Sequence, residues 1–206
     1  MDLLGKHNQS ADGEVARIIV EFLEVAIASI VFLKSVYPSG AFERGRYKNV
    51  TVQRARHPQL RNYIHSTTTS LLPYIQKGEV ERVSVIFYGS SHDPVEKFTF
   101  KFGGVTGTSH SQMKPHDLEL SLRDFLIKIP ISEPRTNLSL AKNLRWEITA
   151  YFRTLPAEIA GKDDDFWVPT KINQWQQLPL ISPIRSIRTG PFCMQLYIEH
   201  DNSLCE

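Results

Sequence analysis

Between Glu14 and Tyr37 the residues Val15, Ile18, Ile19, Phe22, Val25, Ala26, Ser29, Ile30 and Leu33 recur every three or four positions, the period of one helical face. Arg17, Glu21 and Glu24 share the other side, and Pro38 with Gly40 ends the run, because proline lacks the next backbone donor. The apolar stretch Ile18 to Leu33 is nearly long enough to span a bilayer. It contains Glu21 and Glu24, however, and is bracketed by Arg17 and Lys34, so it reads as a helix buried in a globular core.

The segment AFERGRYKNVTVQ alternates basic and aromatic residues in two short extended pieces, a small hairpin. His57-Pro58 opens a second helix with proline in its first turn, and Leu60, Tyr63, Ile64, Thr67 and Leu71 keep helical spacing up to Pro73, which shortens or kinks it. Val83, Val85 and Phe87 then alternate with Arg82, Ser84 and Ile86, and Phe98, Phe100 and Phe102 alternate after the turn residues 90–94. The two runs predict an antiparallel pair. Leu118, Leu122, Phe125, Leu126 and Ile129 mark a third helix over 115–129, followed by a strand over 145–153 carrying Trp146, Ile148, Ala150 and Phe152 on one face.

The remainder is punctuated by Pro156, Pro169, Pro179, Pro183 and Pro191, yet it keeps Phe166, Trp167, Ile172, Trp175, Leu178, Ile181 and Ile184. That is too apolar for a disordered tail, and it predicts a segment wrapping over the domain as short strands and loops. The chain closes with a strand in which Phe192, Met194, Leu196 and Ile198 point one way while Cys193, Gln195, Tyr197 and Glu199 point the other.

Composition narrows the function. A length of 206 residues with 41% hydrophobic and 22% charged residues suits one globular domain, and a net charge of +2 is too small for a protein that coats nucleic acid. Contact with DNA is therefore expected to be indirect. Arg44, Arg46, Lys48, Arg54 and Arg56, interleaved with Phe42 and Tyr47, keep a direct nucleic-acid reading open beside that of a charged edge hairpin.

The two cysteines, Cys193 and Cys205, have no metal-site spacing, and the polar start MDLLGKHNQSADGE lacks the layout of a secretion signal. The cytosol or the nucleus is the expected location on these grounds, and the nucleus first, with the cytoplasm second, is what the family resemblance given below implies. No P-loop, GxSxG, HExxH or GxGxxG is present, so neither catalysis nor a cofactor is expected. Asp163-Asp164-Asp165 lacks calcium-loop spacing, and His110 and His116 are isolated. No metal is assigned to them.

The blocks EFLEVAIASIVFLKSVYPSGAF, NVTVQRARHPQLRNYI, DPVEKFTF, RDFLIKI and MQLYIE, in this order of elements, resemble the HORMA family, and within it the accessory subunits of translesion DNA polymerase zeta. The resemblance is dense from Val15 to Ile129, scattered from Ser132 to Gly190, and returns at MQLYIE. It implies an α+β HORMA domain, three helices packed on an antiparallel sheet with a C-terminal safety belt. The division it implies is a flexible start over 1–13, a core over 14–153, the belt over 154–200 and a tail over 201–206.

The function implied is a non-catalytic adaptor. It captures a proline-containing peptide of the polymerase zeta catalytic subunit under the belt and links it to the C-terminal domain of a scaffold translesion polymerase, for DNA damage tolerance. A mitotic checkpoint adaptor binding an anaphase-promoting-complex activator is the alternative. Tyr63 and Trp167 match the family's peptide clamp, although this chain lacks the proline that the family places between Phe166 and Trp167, and Trp175 competes for the role. Either aromatic could instead be core. Ile181, Gln195 and Tyr197 match the scaffold-docking surface. Arg123 matches a helix used for HORMA homo- or heterodimers, with a surface pair to Asp124 or Glu119 as the alternative.

Overall fold

A computed structural model describes residues 11–89, 93–103, 115–132, 144–154, 167–168, 170, 175, 178–189 and 192–201. The readings placed on His110, Asp163-Asp164-Asp165, Phe166, Ile172, Cys205 and most of the flexible start and tail lie outside these residues. Its elements are α1 (Ala11–Leu33), β1 (Phe42–Tyr47), β2 (Val50–Ala55), α2 (Pro58–Ser70), α3 (Leu72–Gln76), β3 (Val80–Tyr88), β4 (Pro94–Gly103), α4 (Pro115–Ser132), β5 (Arg145–Phe152), β6 (Leu180–Thr189) and β7 (Phe192–His200).

Helix α1 is the axis of the core. Ile19, Phe22, Leu23, Ala26, Ile27, Ile30 and Val31 are all fully buried, so the apolar surface extends well beyond the single face that three- and four-residue spacing marks. The helix stops at Leu33, earlier than Pro38 implied, because Ser35 takes a left-handed conformation (φ 52°) and bonds its amide to the Phe32 carbonyl. Pro58 sits in the first turn of α2, and Pro73 separates α2 from α3 by opening a new helix.

The main sheet has the order β5-β3-β4-β7-β6, antiparallel throughout. The register aligns Val85 with Phe98 and Ile148, and Phe100 with Leu196, so one face of the sheet is an apolar row meeting α1 and α4. Phe22 contacts Phe100 edge-on at 5.9 Å and Phe125 at 5.8 Å, all three rings at zero exposure. Each such burial contributes roughly 1.5–3 kcal/mol.

The β1-β2 hairpin stands apart from this sheet and packs on α1, with Phe42 edge-on to Phe32 at 5.3 Å. Strand β6 departs from the expectation of short strands and loops. It runs ten residues through Pro183, which is tolerated because β6 is an edge strand and its register shifts between Pro183 and Arg185.

Candidate functional site

Strand β5 is the other edge of the sheet. It pairs with β3 on one side and has no strand partner on the other among the described residues. Its alternating outward amides and carbonyls are therefore available to a further strand. Tyr63, projecting from α2, stands over this edge. Its ring is 43% exposed and meets Trp146 of β5 edge-on at 5.4 Å. Burial of the hydroxyl raises its pKa, and the Ile148 amide partly offsets this by stabilising the phenolate. Tyr63 is thus a surface ring rather than core.

Trp146 also donates its indole N–H to the Tyr37 hydroxyl at 3.1 Å, so Tyr37, Trp146 and Tyr63 form a connected trio of rings. A cleft of about 610 Å³ opens beside them, lined by Tyr37, Pro38, Gly40, Ala41, Leu60 and Tyr63, with His57 and Gln59 at the polar part of its wall. Sequence patterning placed Trp146 in the core and passed over Tyr37. Both belong to the site because β5 is an edge strand, a tertiary fact that no local spacing carries.

Trp167 does not touch Tyr63. It is half-buried and donates its indole N–H to the Ser70 hydroxyl at 2.8 Å. Tyr63 and Ser70 are seven residues apart, two turns, so the two aromatics lie along one side of α2 separated by roughly 10 Å of helix axis. Trp175 goes elsewhere: its indole donates to the Glu199 carboxylate on β7 at 3.1 Å. Trp167 and Trp175, both between β5 and β6 in sequence, are thereby held on different elements, one on α2 and the other on β7.

The sheet face opposite the helices is polar yet largely buried. Ser84 and Thr99 share a hydrogen bond at 3.0 Å, Thr99 donates to Glu199 at 3.3 Å, and Lys97 pairs with Glu199 at 3.3 Å. Arg82 stacks on Tyr151, its guanidinium carbon 4.4 Å from the ring centre, and burial raises the Tyr151 pKa. At the far end of this face the register sets Ile181 opposite Glu199, Pro183 opposite Tyr197, and Ser186 opposite Gln195. Ile181, Gln195 and Tyr197 consequently share one face of the β6-β7 hairpin, as alternation predicts. Ile181 is 63% exposed, Gln195 exposed and Tyr197 half-buried.

Arg123 makes neither of the local pairs open to it. Asp124 is engaged by Arg185 of β6 and Glu119 by Lys48 at 2.5 Å, while the Arg123 Nε is buried with no hydrogen-bond partner among the described residues. Leu120, Ile127 and Ile131 are exposed on the same helix. The basic hairpin offers no stacking platform, because Phe42 and Tyr47 are 6% and 5% exposed and face the core. His116 is exposed, and no three His, Cys, Asp or Glu side chains converge on a metal position among the described residues. No helix of the described residues is long and apolar enough to cross a membrane.

A domain of helices on an antiparallel sheet with this strand order is matched over residues 15–157 by the HORMA domain family, well over half the chain, and the protein belongs to that family. The Arabidopsis thaliana DNA polymerase zeta processivity subunit is 47% identical over 197 residues, covering 96% of this chain and 91% of its own. The human mitotic spindle assembly checkpoint protein MAD2B is 30% identical over 194 residues, 90% of each chain. Among solved structures, a chain of the mitotic checkpoint complex superposes with a TM-score of 0.72 at 14% identity, covering 90% of this chain and 97% of that one. Caenorhabditis elegans HTP-2 bound to the HIM-3 closure motif gives 0.67 at 11% identity, covering 93% and 91%. At such identities these structures establish the shared fold.

Proposed function

We propose that this chain is a non-catalytic nuclear adaptor of translesion synthesis, a polymerase zeta accessory subunit. It captures a proline-containing peptide of the catalytic subunit and presents a second surface to a scaffold polymerase. The observation that carries the reading is the open edge of β5, overlooked by the exposed Tyr63 ring, with Trp167 held on the same helix through Ser70. An extended peptide added to that edge gains backbone hydrogen bonds, and flat aromatic faces suit proline, whose rigid ring loses little entropy on binding. The relative at 47% identity is named as a polymerase zeta subunit, and a distant relative of the same fold is described as bound to a closure motif.

In this reading Tyr63 and Trp167 hold the peptide while Ile181, Gln195 and Tyr197 dock the scaffold's C-terminal domain on the opposite edge. Arg123, with the exposed apolar residues of α4, serves HORMA pairing. DNA is reached through these partners. The checkpoint name of the human relative supports a second reading, in which the same edge takes a segment of an anaphase-promoting-complex activator.

Fluorescence anisotropy with labelled overlapping peptides spanning the proline-containing segments of the catalytic subunit tests this. Tyr63→Ala should weaken the best binder about fivefold or more, equivalent to about 1 kcal/mol. Absence of binding by every such peptide to the wild-type protein refutes the proposal, and binding of activator peptides in their place selects the second reading.

A further inference from the structure

A second recess, of about 440 Å³, lies between α1, the β1-β2 hairpin and α2, within the range of roughly 300–1,000 Å³ typical of ligand sites. Its floor is apolar and buried: Val25 and Ala28 of α1, Ala55 of β2 and Ile64 of α2. Its rim is charged. Glu21 and Glu24 stand three residues apart on α1, Glu43 comes from β1, and Arg54 and Arg61 come from β2 and α2. Three carboxylates thus meet two guanidiniums, an excess of one negative charge. One of the guanidiniums is also committed elsewhere: Arg54 lies across Gly45, where an added Cβ would meet its Cδ at 2.9 Å, and donates to the Arg46 carbonyl at 3.2 Å.

Tyr47 forms part of the wall. It is 5% exposed, and its hydroxyl has no hydrogen-bond partner among the described residues, although buried polar groups ordinarily find one. Burial first, and then the Glu21 and Glu119 carboxylates, raise its pKa, so the phenol keeps its proton and can both donate and accept. Arg54 acts in the opposite direction, so the hydroxyl feels charges from two elements of the rim. His65 engages one oxygen of Glu24 at 2.9 Å, whereas Glu21, Glu43 and Arg61 make no ion pair with a described residue. Carboxylates gathered around one recess repel each other, and a bound cation relieves that repulsion.

We propose that this recess receives an arginine side chain of a partner protein: its stem lies on the apolar floor, its guanidinium meets Glu21 and Glu43, and the Tyr47 hydroxyl accepts one of its N–H groups. One cation matches the single excess negative charge of the rim. Arginine suits the site better than lysine, because its fixed fan of donors can reach carboxylates on two elements and a hydroxyl at once, where an ammonium is a compact point charge. The recess uses neither the β5 edge nor the β6-β7 hairpin. It is a third contact point, independent of peptide capture.

The test is a nuclear magnetic resonance titration of the full chain, methyl-labelled, with N-acetyl-arginine methylamide, read at the methyl signals of Val25, Ala28 and Ile64. The comparison probes are the same derivatives of citrulline, which keeps the shape of arginine without its charge, and of glutamate. The arginine probe should shift these signals saturably, the citrulline probe should bind about fivefold more weakly or worse, and the glutamate probe should leave them unmoved. Glu21→Gln and Glu43→Gln, both at exposed positions, should each weaken the arginine probe severalfold, and the double variant should abolish its binding. Tyr47→Phe keeps the ring and should also weaken it, with a urea midpoint no lower than that of the wild-type protein. Absence of a saturable shift, equal binding of the citrulline probe, or binding undiminished by Tyr47→Phe or by the double glutamine variant overturns the proposal. Preference for the glutamate probe also overturns it, assigning the recess to Arg54, Arg61 and an acidic occupant.

Discussion

The end of α1 carries a buried charge whose removal should be unusually costly. Lys34 is 3% exposed and Glu96, on the helix-facing side of β4, is fully buried; their charged atoms are 2.5 Å apart, and the ammonium also lies 5.5 Å from the Phe98 ring centre. Lys34→Met keeps the aliphatic stem and its packing but removes the ion-pair partner of a fully buried carboxylate, and breaking such a pair from one side costs about 3–5 kcal/mol. For a domain of this size that corresponds to a fall in Tm of roughly 6–20 °C, at about 2–4 °C per kcal/mol. The double variant Lys34→Met/Glu96→Leu removes both charges and should recover most of the loss, because a buried ion pair is itself nearly neutral relative to apolar residues.

The assay is urea denaturation followed by tryptophan fluorescence, with the two single variants and the double variant forming a cycle at constant m-value. A cost below about 1 kcal/mol for Lys34→Met, or a double variant as unstable as the sum of the singles, refutes the claim that this pair is desolvated and coupled.

Three further outcomes follow from the same geometry. His200, the last residue of β7 and the register partner of Glu96, has its pKa lowered by burial and then by Lys34, so the unfolded chain binds its proton more readily than the folded one. Stability should therefore fall as pH drops through about 6.5, the ordinary histidine value, and the loss should be complete below the depressed folded-state value. His200→Gln should flatten that part of a urea-midpoint profile, and an unchanged profile would contradict it. Trp175→Phe removes the indole donor to Glu199 and should cost about 1–3 kcal/mol in the same unfolding assay, with hydrogen exchange rising first around β7; no change would detach Trp175 from β7. Arg185→Ala, which breaks a pair with Asp124 that is more than a third exposed at both ends, should cost no more than about 1 kcal/mol, and a larger loss would mean the pair is buried in solution.

Periodicity was informative where one physical requirement dominated. The two phenylalanine-rich strands, the hairpin joining them and the inward row of β7 were legible because a two-residue repeat has one solution when one face must be buried. Strand β6 was hidden by Pro179 and Pro183, since the penalty for proline in a strand depends on whether its amide faces a neighbour, and that is decided by sheet order. Lys34 looked like a polar end to an apolar run, yet it is a core residue because Glu96 comes from a strand sixty residues later. The hairpin's interleaved aromatics looked like a nucleic-acid platform, but they turn inward against α1, leaving the basic residues outside together with Glu43, Asn49 and Thr51. The common side of Gln195 and Tyr197 was readable from alternation, whereas Tyr63 and Ile181 were singled out through the family resemblance alone; the partnership of Trp146 with Tyr37, and the separation of Trp167 from Trp175, required the fold.

The sheet order also bears on whether the two proposed partners can be held at once. β5 and β6 are opposite edges, with β3, β4 and β7 between them, so the capture edge and the outer strand of the docking hairpin are separated by four strand spacings, roughly 19 Å. Direct contact between a peptide on the β5 edge and Ile181 on the opposite edge is excluded by that distance. The covalent connection between β5 and β6 spans it, and its two tryptophans end on different elements, one on α2 beside the capture edge and one on Glu199 beside Tyr197 and opposite Ile181. In the proposed reading peptide capture bears on Trp167 and docking on the strand that holds Trp175, so any coupling between partners should run through Trp175 and Glu199. Tyr197→Ala should then abolish scaffold docking with peptide affinity unchanged, whereas Trp175→Phe should reduce whatever enhancement the peptide gives to docking. Identical docking by free and peptide-loaded protein would mean that the connection ties the edges together mechanically without transmitting anything between them.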